Sequence, residues 1–338
     1  MVGAKLVFPG NCHDGKSVFE MLKAEEVTVS AGVPTVWLML LEHLAALKQQ
    51  RASAGALPAS DRSCDRLLPH LERLVIGGSA APPSMVAAYE NEHGVACRLS
   101  WGMTELSPCG VVGSTKRHMK GWPSDATLPY RLKPGRAMYG VDMRVVADGA
   151  EGTLGAAGGE SGVGRLEVKG PYTIARYWGH GTDAVDGEGW FDTGDMATID
   201  DEGYLRIVDR AKDVIKSGGE WISSIELENV ALAHPDVDSS EGAGAAALAV
   251  SHPKWGERPL LFVRAKKGSG LTADALRAFM AARGIAKFML PDEVVFLDSA
   301  LPLQGTGKVW KMQLRERLAA GEFKLSQSAD PAPSECNL

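Results

Sequence analysis

Segments with strand-like and helix-like patterns take turns along the first hundred residues, and this alternation restricts the chain to an α/β architecture more firmly than any other feature. Extended runs are expected at 5–8, 27–30, 73–76 and 96–100, and helices at 17–23, 35–48 and 82–93. Ser17 followed by Glu20 has the spacing of a capping box at the start of the first helix. A polar, small-residue stretch at 49–63 connects the second helix to the next strand. Strand–helix–strand repeats of this kind build a parallel, doubly wound sheet, in which ligands collect at the carboxyl ends of the strands.

The texture changes at Val141. Short β-rich runs at 141–146, 165–169, 197–199 and 204–208 are separated by turn residues, including Asp200-Asp201-Glu202-Gly203, as expected of an antiparallel subdomain of hairpins. Between them, 148–164 is rich in Gly, Ala and Glu, too poor in apolar residues to pack, and is expected to be a mobile surface loop. After Asp209-Arg210 the pattern becomes a compact α+β unit, with helices at 225–233, 272–283 and 311–318 and strands at 245–250, 260–266 and 294–297. The domain boundary is therefore expected within 209–213: residues 1–209 form one domain, 210–323 a second, and 324–338 a Ser-, Pro- and Ala-rich disordered tail.

With 338 residues, the chain is long enough to bury two cores. A net charge of -6 without a clustered basic face argues against a nucleic-acid partner. The most apolar stretch, 27–47, is broken by Pro34 and by Glu42-His43, so no uncharged run reaches the ~20 residues of a transmembrane helix. The start lacks the apolar core of a secretory signal. Five cysteines, Cys12, Cys64, Cys97, Cys109 and Cys336, have neither metal-ligand spacing nor a disulfide pattern and are expected as free thiols in a cytoplasmic, reducing setting. The terminal Cys336-Asn337-Leu338 is a faint match to a peroxisomal address, the alternative location. The eight histidines form no metal-spaced cluster, and no Gly-x-Ser-x-Gly elbow occurs, so hydrolase chemistry has no support.

Three places carry chemistry on the residues alone. Leu74-Val75-Ile76 runs into Gly77-Gly78-Ser79, a strand ending in a glycine turn at the ligand-binding edge of a sheet, where a flat purine can lie against the backbone; the same pattern is also plain structural punctuation. Asp195, beside Gly194, offers an ionised carboxylate able to accept both hydroxyls of a ribose, and Arg210 a planar fork for ribose and phosphate; the alternative is an Asp195–Arg210 salt bridge closing a hairpin. Trp101-Gly102-Met103-Thr104-Glu105 ends the next strand with a carboxylate, a hard oxygen ligand suited to magnesium, or else with a helix-capping Thr-Glu pair.

The combination of the run 190–228 with Pro302-Leu303-Gln304-Gly305-Thr306-Gly307-Lys308-Val309 resembles the adenylate-forming superfamily. Lys216-Ser217-Gly218-Gly219-Glu220-Trp221 and His252-Pro253-Lys254-Trp255-Gly256-Glu257 look like its fatty-acyl-CoA synthetase branch. The resemblance implies the later part of a large adenylation domain, a doubly wound sheet plus a β-rich subdomain, followed by a small mobile α+β domain. It also implies ATP-dependent conversion of a fatty acid to acyl-AMP, transfer to CoA, and a requirement for Mg2+. By resemblance Thr104 contacts the α-phosphate, Glu105 holds the metal and Trp101 and Gly102 lie beside adenine. Lys308 binds the reacting carboxylate and ATP oxygens, Lys212 is the hinge, and Lys216, Gly218, Gly219 and Trp221 line the pantetheine channel. Val33-Pro34-Thr35-Val36-Trp37 and the stretch 135–141 resemble walls of an acyl pocket.

Two departures stand out. Leu303, Gln304 and Gly305 replace the Arg or Lys and the Thr or Ser usual before the lysine, and nothing between Met1 and Thr35 resembles the family's Thr/Ser/Gly-rich phosphate loop. The chain is accordingly expected to be a fragment with little activity alone. A homodimer, a ligase or carrier-loading adenylation domain for another acid, and a non-catalytic nucleotide- or acyl-CoA-binding module are the other readings left open.

Overall fold

The computed structural model describes residues 3–53, 66–147, 162–239, 243–304, 308–323 and 325. Most of the expected loop at 148–164, the tail and the terminal tripeptide lie outside the described residues.

Three strands, β1 (Val29–Gly32), β2 (Arg73–Ile76) and β3 (Ala96–Gly102), run parallel in sequence order. Helices α1 (Gly15–Ala24), α2 (Pro34–Ser53) and α3 (Pro83–Glu92) are interleaved with them as the alternation requires. Trp37, Leu40, Leu44, Leu74, Ile76, Val86 and Tyr89 form the core between helices and sheet. The sheet continues with antiparallel β4 (Cys109–Val112) and β5 (Arg136–Ala137), separated by α4 (Ser124–Arg131). These three were not anticipated, because the strands are short and Pro129 sits inside the helix.

Two expectations are corrected. No strand forms at 5–8, where Leu6 and Phe8 are exposed and no neighbouring strand supplies hydrogen bonds. The first helix is capped not by Ser17 but by Asp14, whose carboxylate accepts the Ser17 N–H at 3.0 Å, so the helix starts two residues earlier. Gly15, its first residue, is required there: an added Cβ would stand 2.1 Å from the Met39 carbonyl oxygen of α2.

The β-rich region is a four-stranded antiparallel sheet, β6 (Asp142–Val146), β7 (Gly164–Lys169), β8 (Phe191–Ile199) and β9 (Leu205–Arg210), in that order. Asp200 and Gly203 close the β8–β9 turn, as their types predict. Leu166, Val168, Phe191, Ala197 and Leu205 pack with Leu106 and Val111, which joins this sheet to the first.

The last sheet contains the hairpin β10 (Ile215–Ser217) and β11 (Glu220–Ile222), followed by α5 (Ser224–Leu232), β12 (Ala245–His252), β13 (Gly256–Val263), α6 (Ala273–Ala282), β14 (Glu293–Phe296) and α7 (Lys311–Ala319). β12 and β13 read as continuous apolar runs because both faces are covered. Ala245, Ala247, Leu261 and Val263 face α5 and α6, whereas Ala246, Leu248, Val250, Leu260 and Phe262 face α7. Leu314 and Leu318 dock α7, each buried leucine contributing about 1.5–3 kcal/mol. Among the described residues no helix is long and apolar enough to cross a membrane, and Cys12, Cys97 and Cys109 are free thiols.

Candidate active site

The carboxyl ends of β2 and β3 open onto one edge. Gly77 lies so close to β3 that a Cβ would stand 2.5 Å from Ser100 Oγ. Gly78 adopts φ +86°, and a Cβ there would meet Val33 Cγ1 at 3.0 Å and lie 4.0 Å from Lys308 Cε. Lys308 therefore lies alongside the glycine turn, with Ser79 exposed next to it. At the end of β3, Gly102 leaves no room for a side chain, since a Cβ would be 2.0 Å from the Pro108 carbonyl oxygen. A short turn, Thr104–Leu106, follows, with Thr104 exposed and Glu105 half-buried. Glu105 Oε1 accepts a hydrogen bond from the Tyr177 hydroxyl at 2.9 Å, and its carbonyl accepts the Ile174 N–H at 2.8 Å. Sequence reasoning missed Tyr177; nothing local marks a tyrosine 72 positions away as a partner of Glu105.

Asp195 and Arg210 are direct cross-strand partners in β8 and β9. The carboxylate is buried and shared: Trp101 Nε1–H donates to Oδ2 at 2.9 Å and Arg210 Nε lies 3.1 Å from Oδ1. Arg210 Nη1 also donates to the Thr193 carbonyl at 3.0 Å. Burial raises the Asp195 pKa above the usual carboxylate value, against the opposing pull of Arg210, Trp101 and Lys308. Burial and then Arg210 lower the Lys308 pKa, which Asp195 partly restores. Gly77, Gly78, Trp101, Asp195, Arg210 and Lys308 thus gather at one place although they are spread over more than two hundred positions. The alternative Asp195–Arg210 salt bridge is present as well, and it does not exhaust the carboxylate, which has about four acceptor sites.

Lys308 is presented by a small hairpin. The Gln304 N–H donates to the Lys308 carbonyl at 2.7 Å and the Trp310 N–H to the Pro302 carbonyl at 2.7 Å, with Leu303 bridging Val309. The glycines and threonine at 305–307 lie outside the described residues.

A second group surrounds the β10–β11 hairpin. Gly218 and Gly219 both have positive φ, +60° and +90°, which explains the glycine pair at this tight turn. The Lys216 ammonium lies 4.7 Å from the centre of the Trp221 ring. Trp255 packs on Gly218, and its carbonyl accepts the Gly218 N–H at 2.8 Å. Lys212 is exposed between β9 and β10.

Among the described residues no three His, Cys, Asp or Glu side chains converge as a metal cage. The single carboxylate of Glu105 suits Mg2+, which takes one or two carboxylates and completes its shell with phosphate oxygens and water. Trp37, expected on an acyl-pocket wall, is a core residue whose buried Nε1 has no hydrogen-bond partner; Val33 touches the glycine turn.

Residues 1–178 match the family model for AMP-binding enzymes, and residues 226–308 match the AMP-binding enzyme C-terminal domain. The chain belongs to the AMP-binding enzyme family. It is 40% identical over 329 residues to a medium-chain-fatty-acid–CoA ligase of Ectopseudomonas oleovorans, covering 97% of this chain and 55% of that protein. A long-chain-fatty-acid–CoA ligase of Thermus thermophilus is 39% identical, with coverage of 94% and 54%. The crystal structure of ATP-bound MatB from Rhodopseudomonas palustris superposes with a TM-score of 0.69 at 26% identity, covering 90% of this chain and 53% of that one. This AMP-binding enzyme chain spans about half the length of the curated relatives it matches.

Proposed function

We propose that the chain supplies the ribose-binding, lysine-bearing and thiol-receiving parts of a fatty-acid–CoA ligase. In the first step a fatty-acid carboxylate oxygen attacks the α-phosphorus of ATP and pyrophosphate leaves, giving acyl-AMP. In the second the CoA thiol attacks the acyl carbon, a thioester forms and AMP leaves. The observation that carries this reading is the convergence of Lys308 and Arg210 on the buried carboxylate of Asp195 beside the Gly77-Gly78 turn. Asp195 accepts the ribose hydroxyls, while the two cations offset the negative charge of a carboxylate and a phosphate brought together. Gly77, Gly78 and Trp101 flank the base, and Thr104 faces the phosphate. Glu105, steadied by Tyr177, would hold Mg2+, which supplies charge neutralisation of the phosphates. Residues 210–323 turn about Lys212 between the two steps and bring Lys216, Gly218, Gly219 and Trp221 to the pantetheine arm of CoA.

The similarity to fatty-acid–CoA ligases over 94–97% of the chain favours a fatty acid as the substrate. Titration of the 338-residue chain with AMP and with a non-hydrolysable fatty-acyl-AMP analogue tests the reading. Saturable one-to-one binding that Lys308→Ala weakens for the acyl-AMP analogue, and that Asp195→Asn weakens for both ligands, is expected. Absence of binding to either ligand by a folded chain would overturn it.

A further inference from the structure

Helix α7 begins three residues after Lys308, and its first polar side chain turns inward. The Lys311 ammonium lies 2.7 Å from Glu228 Oε1 and donates to Ser224 Oγ at 2.6 Å; Glu228 Oε1 also accepts the Ala247 N–H at 2.9 Å. Asp209, 1% exposed, lies on the other side of Lys212 in sequence. Its Oδ2 accepts the Ser224 N–H at 2.6 Å, at the N-terminus of α5 where an anion is favoured, and its Oδ1 accepts the Arg210 N–H at 2.8 Å. Ser223 Oγ, the cap of α5, donates to the Val208 carbonyl at 2.6 Å. Arg315 of α7 bonds Asp213 Oδ1 at 2.5 Å and the Lys212 carbonyl at 3.3 Å.

These contacts divide into two classes with respect to Lys212. Lys311, Glu228, Ser224, Asp213 and Arg315 all follow it in sequence, so a rotation of the unit beyond Lys212 carries them together. Asp209 and Val208 precede it, so their links to Ser224 and Ser223 must break. The permanent half anchors the base of the Lys308 hairpin, and the breakable half fixes the angle at which that hairpin meets Asp195. We propose that Lys311 and Asp209 are positioning residues for Lys308, forming with Ser224 and Glu228 a buried ionic clasp across Lys212 that holds the lysine at Asp195 and must open for residues 210–323 to turn. The inference rests on the roles proposed above for Lys308 and Lys212.

Three carboxylates share two cations in this cluster, so it holds surplus negative charge, and the Lys311 ammonium is retained more tightly than usual despite its burial. A buried ion pair is a poor source of stability compared with apolar packing, which makes a latch a better reason than cohesion for its presence here.

The test uses the 338-residue chain and two readouts: trypsin cleavage after Lys212, which tracks local opening, and the rate of acetylation of Lys308 read by mass spectrometry. Asp209→Asn keeps the shape and one acceptor but removes the charge. It is expected to raise both rates on the order of tenfold at an unchanged melting temperature. Lys311→Met is expected to raise Lys308 acetylation similarly, and Lys311→Arg to return it towards the original rate. If Lys311→Met does not fold, Asp209→Asn and Lys311→Arg decide: both rates raised in the first and near the original in the second support the clasp. Unchanged Lys308 acetylation in folded Asp209→Asn overturns it, as does faster cleavage without faster acetylation. AMP titration of the same samples separates the two ideas. A chain that opens as expected yet binds no AMP sinks the ligase reading and leaves the clasp, whereas AMP binding with unchanged rates does the reverse.

Discussion

Asp195→Asn separates the two roles available to the buried carboxylate at the centre of the site. The substitution keeps the volume, and the remaining oxygen can still accept the Trp101 indole N–H, but the new amide presents donors to Arg210. Removing one partner of a buried pair costs about 3–5 kcal/mol when the other charge is stranded. Arg210 is not stranded: its side chain is 40% exposed and it keeps the Thr193 carbonyl. Water screening, together with relief of a carboxylate whose ionisation burial already opposes, reduces the expected loss to about 1 kcal/mol.

Ligand binding should suffer more than stability does. A hydrogen bond to a charged group is worth about 1.5–3 kcal/mol, so loss of the charged ribose acceptor predicts AMP binding weaker by about 10- to 100-fold. Urea denaturation measures the first quantity and calorimetric titration with AMP the second. Equal AMP affinities in the two proteins would refute the reasoning and leave Asp195 as the closure of the β8–β9 hairpin. A stability loss of several kcal/mol would show instead that solvent does not reach Arg210.

Two further outcomes test the ends of the site. Lys308 has a folded-state pKa below its unfolded value, so its burial penalty is largest while it is charged and vanishes as pH rises through the window up to 10.5. Lys308→Met should therefore melt at a higher temperature than the parent chain at neutral pH, with the gap narrowing towards pH 10; a gap independent of pH would contradict the assignment. Lys212→Pro, in an enzyme joined to the remainder of the family's length, should retain pyrophosphate exchange and lose transfer to CoA, because proline fixes φ near about -65° and restricts Ala211. Persistence of both half-reactions would place the pivot elsewhere, and loss of both together with a fall in melting temperature would mean that the substitution has damaged the fold.

The alternation of strand and helix up to β3 and the antiparallel texture after Val141 were legible because each element had its own period and turn residues. The short strands β4, β5, β10 and β11 were not, and the two or three residues of β5, β10 and β11 leave no period to read. At the site, Asp195 was marked by its neighbouring glycine, and its pairing with Arg210 was one of the two readings open in the sequence. What the sequence could not show was the indole of Trp101, 94 positions away, occupying the second carboxylate oxygen. Tyr177 and Lys311 escaped for the same reason: a partner in tertiary contact carries no local signature, and a lysine in an otherwise polar helix such as α7 reads as solvated until the fold turns it inward.

Asp209 and Arg210 show how the chain keeps two charge clusters of opposite sign apart. Successive side chains of a strand point to opposite faces, so neighbours at the end of β9 serve different surroundings. Arg210 joins Lys308 and Asp195, two cations with one carboxylate, and this leaves a positive surplus at the edge where an anion would enter. Asp209 joins Glu228 and Asp213 with Lys311 and Arg315, three carboxylates with two cations, and this leaves a negative surplus in the interior. Burial first and the neighbouring Arg210 charge second oppose the charge on Lys308 and lower its pKa. An incoming carboxylate or phosphate would offset the second of these, so Lys308 should be held most firmly when the anion is bound. Once the anion has left, repulsion between Lys308 and Arg210 would favour opening, and Asp209 alone among the acids of the interior cluster would have to release a partner across Lys212.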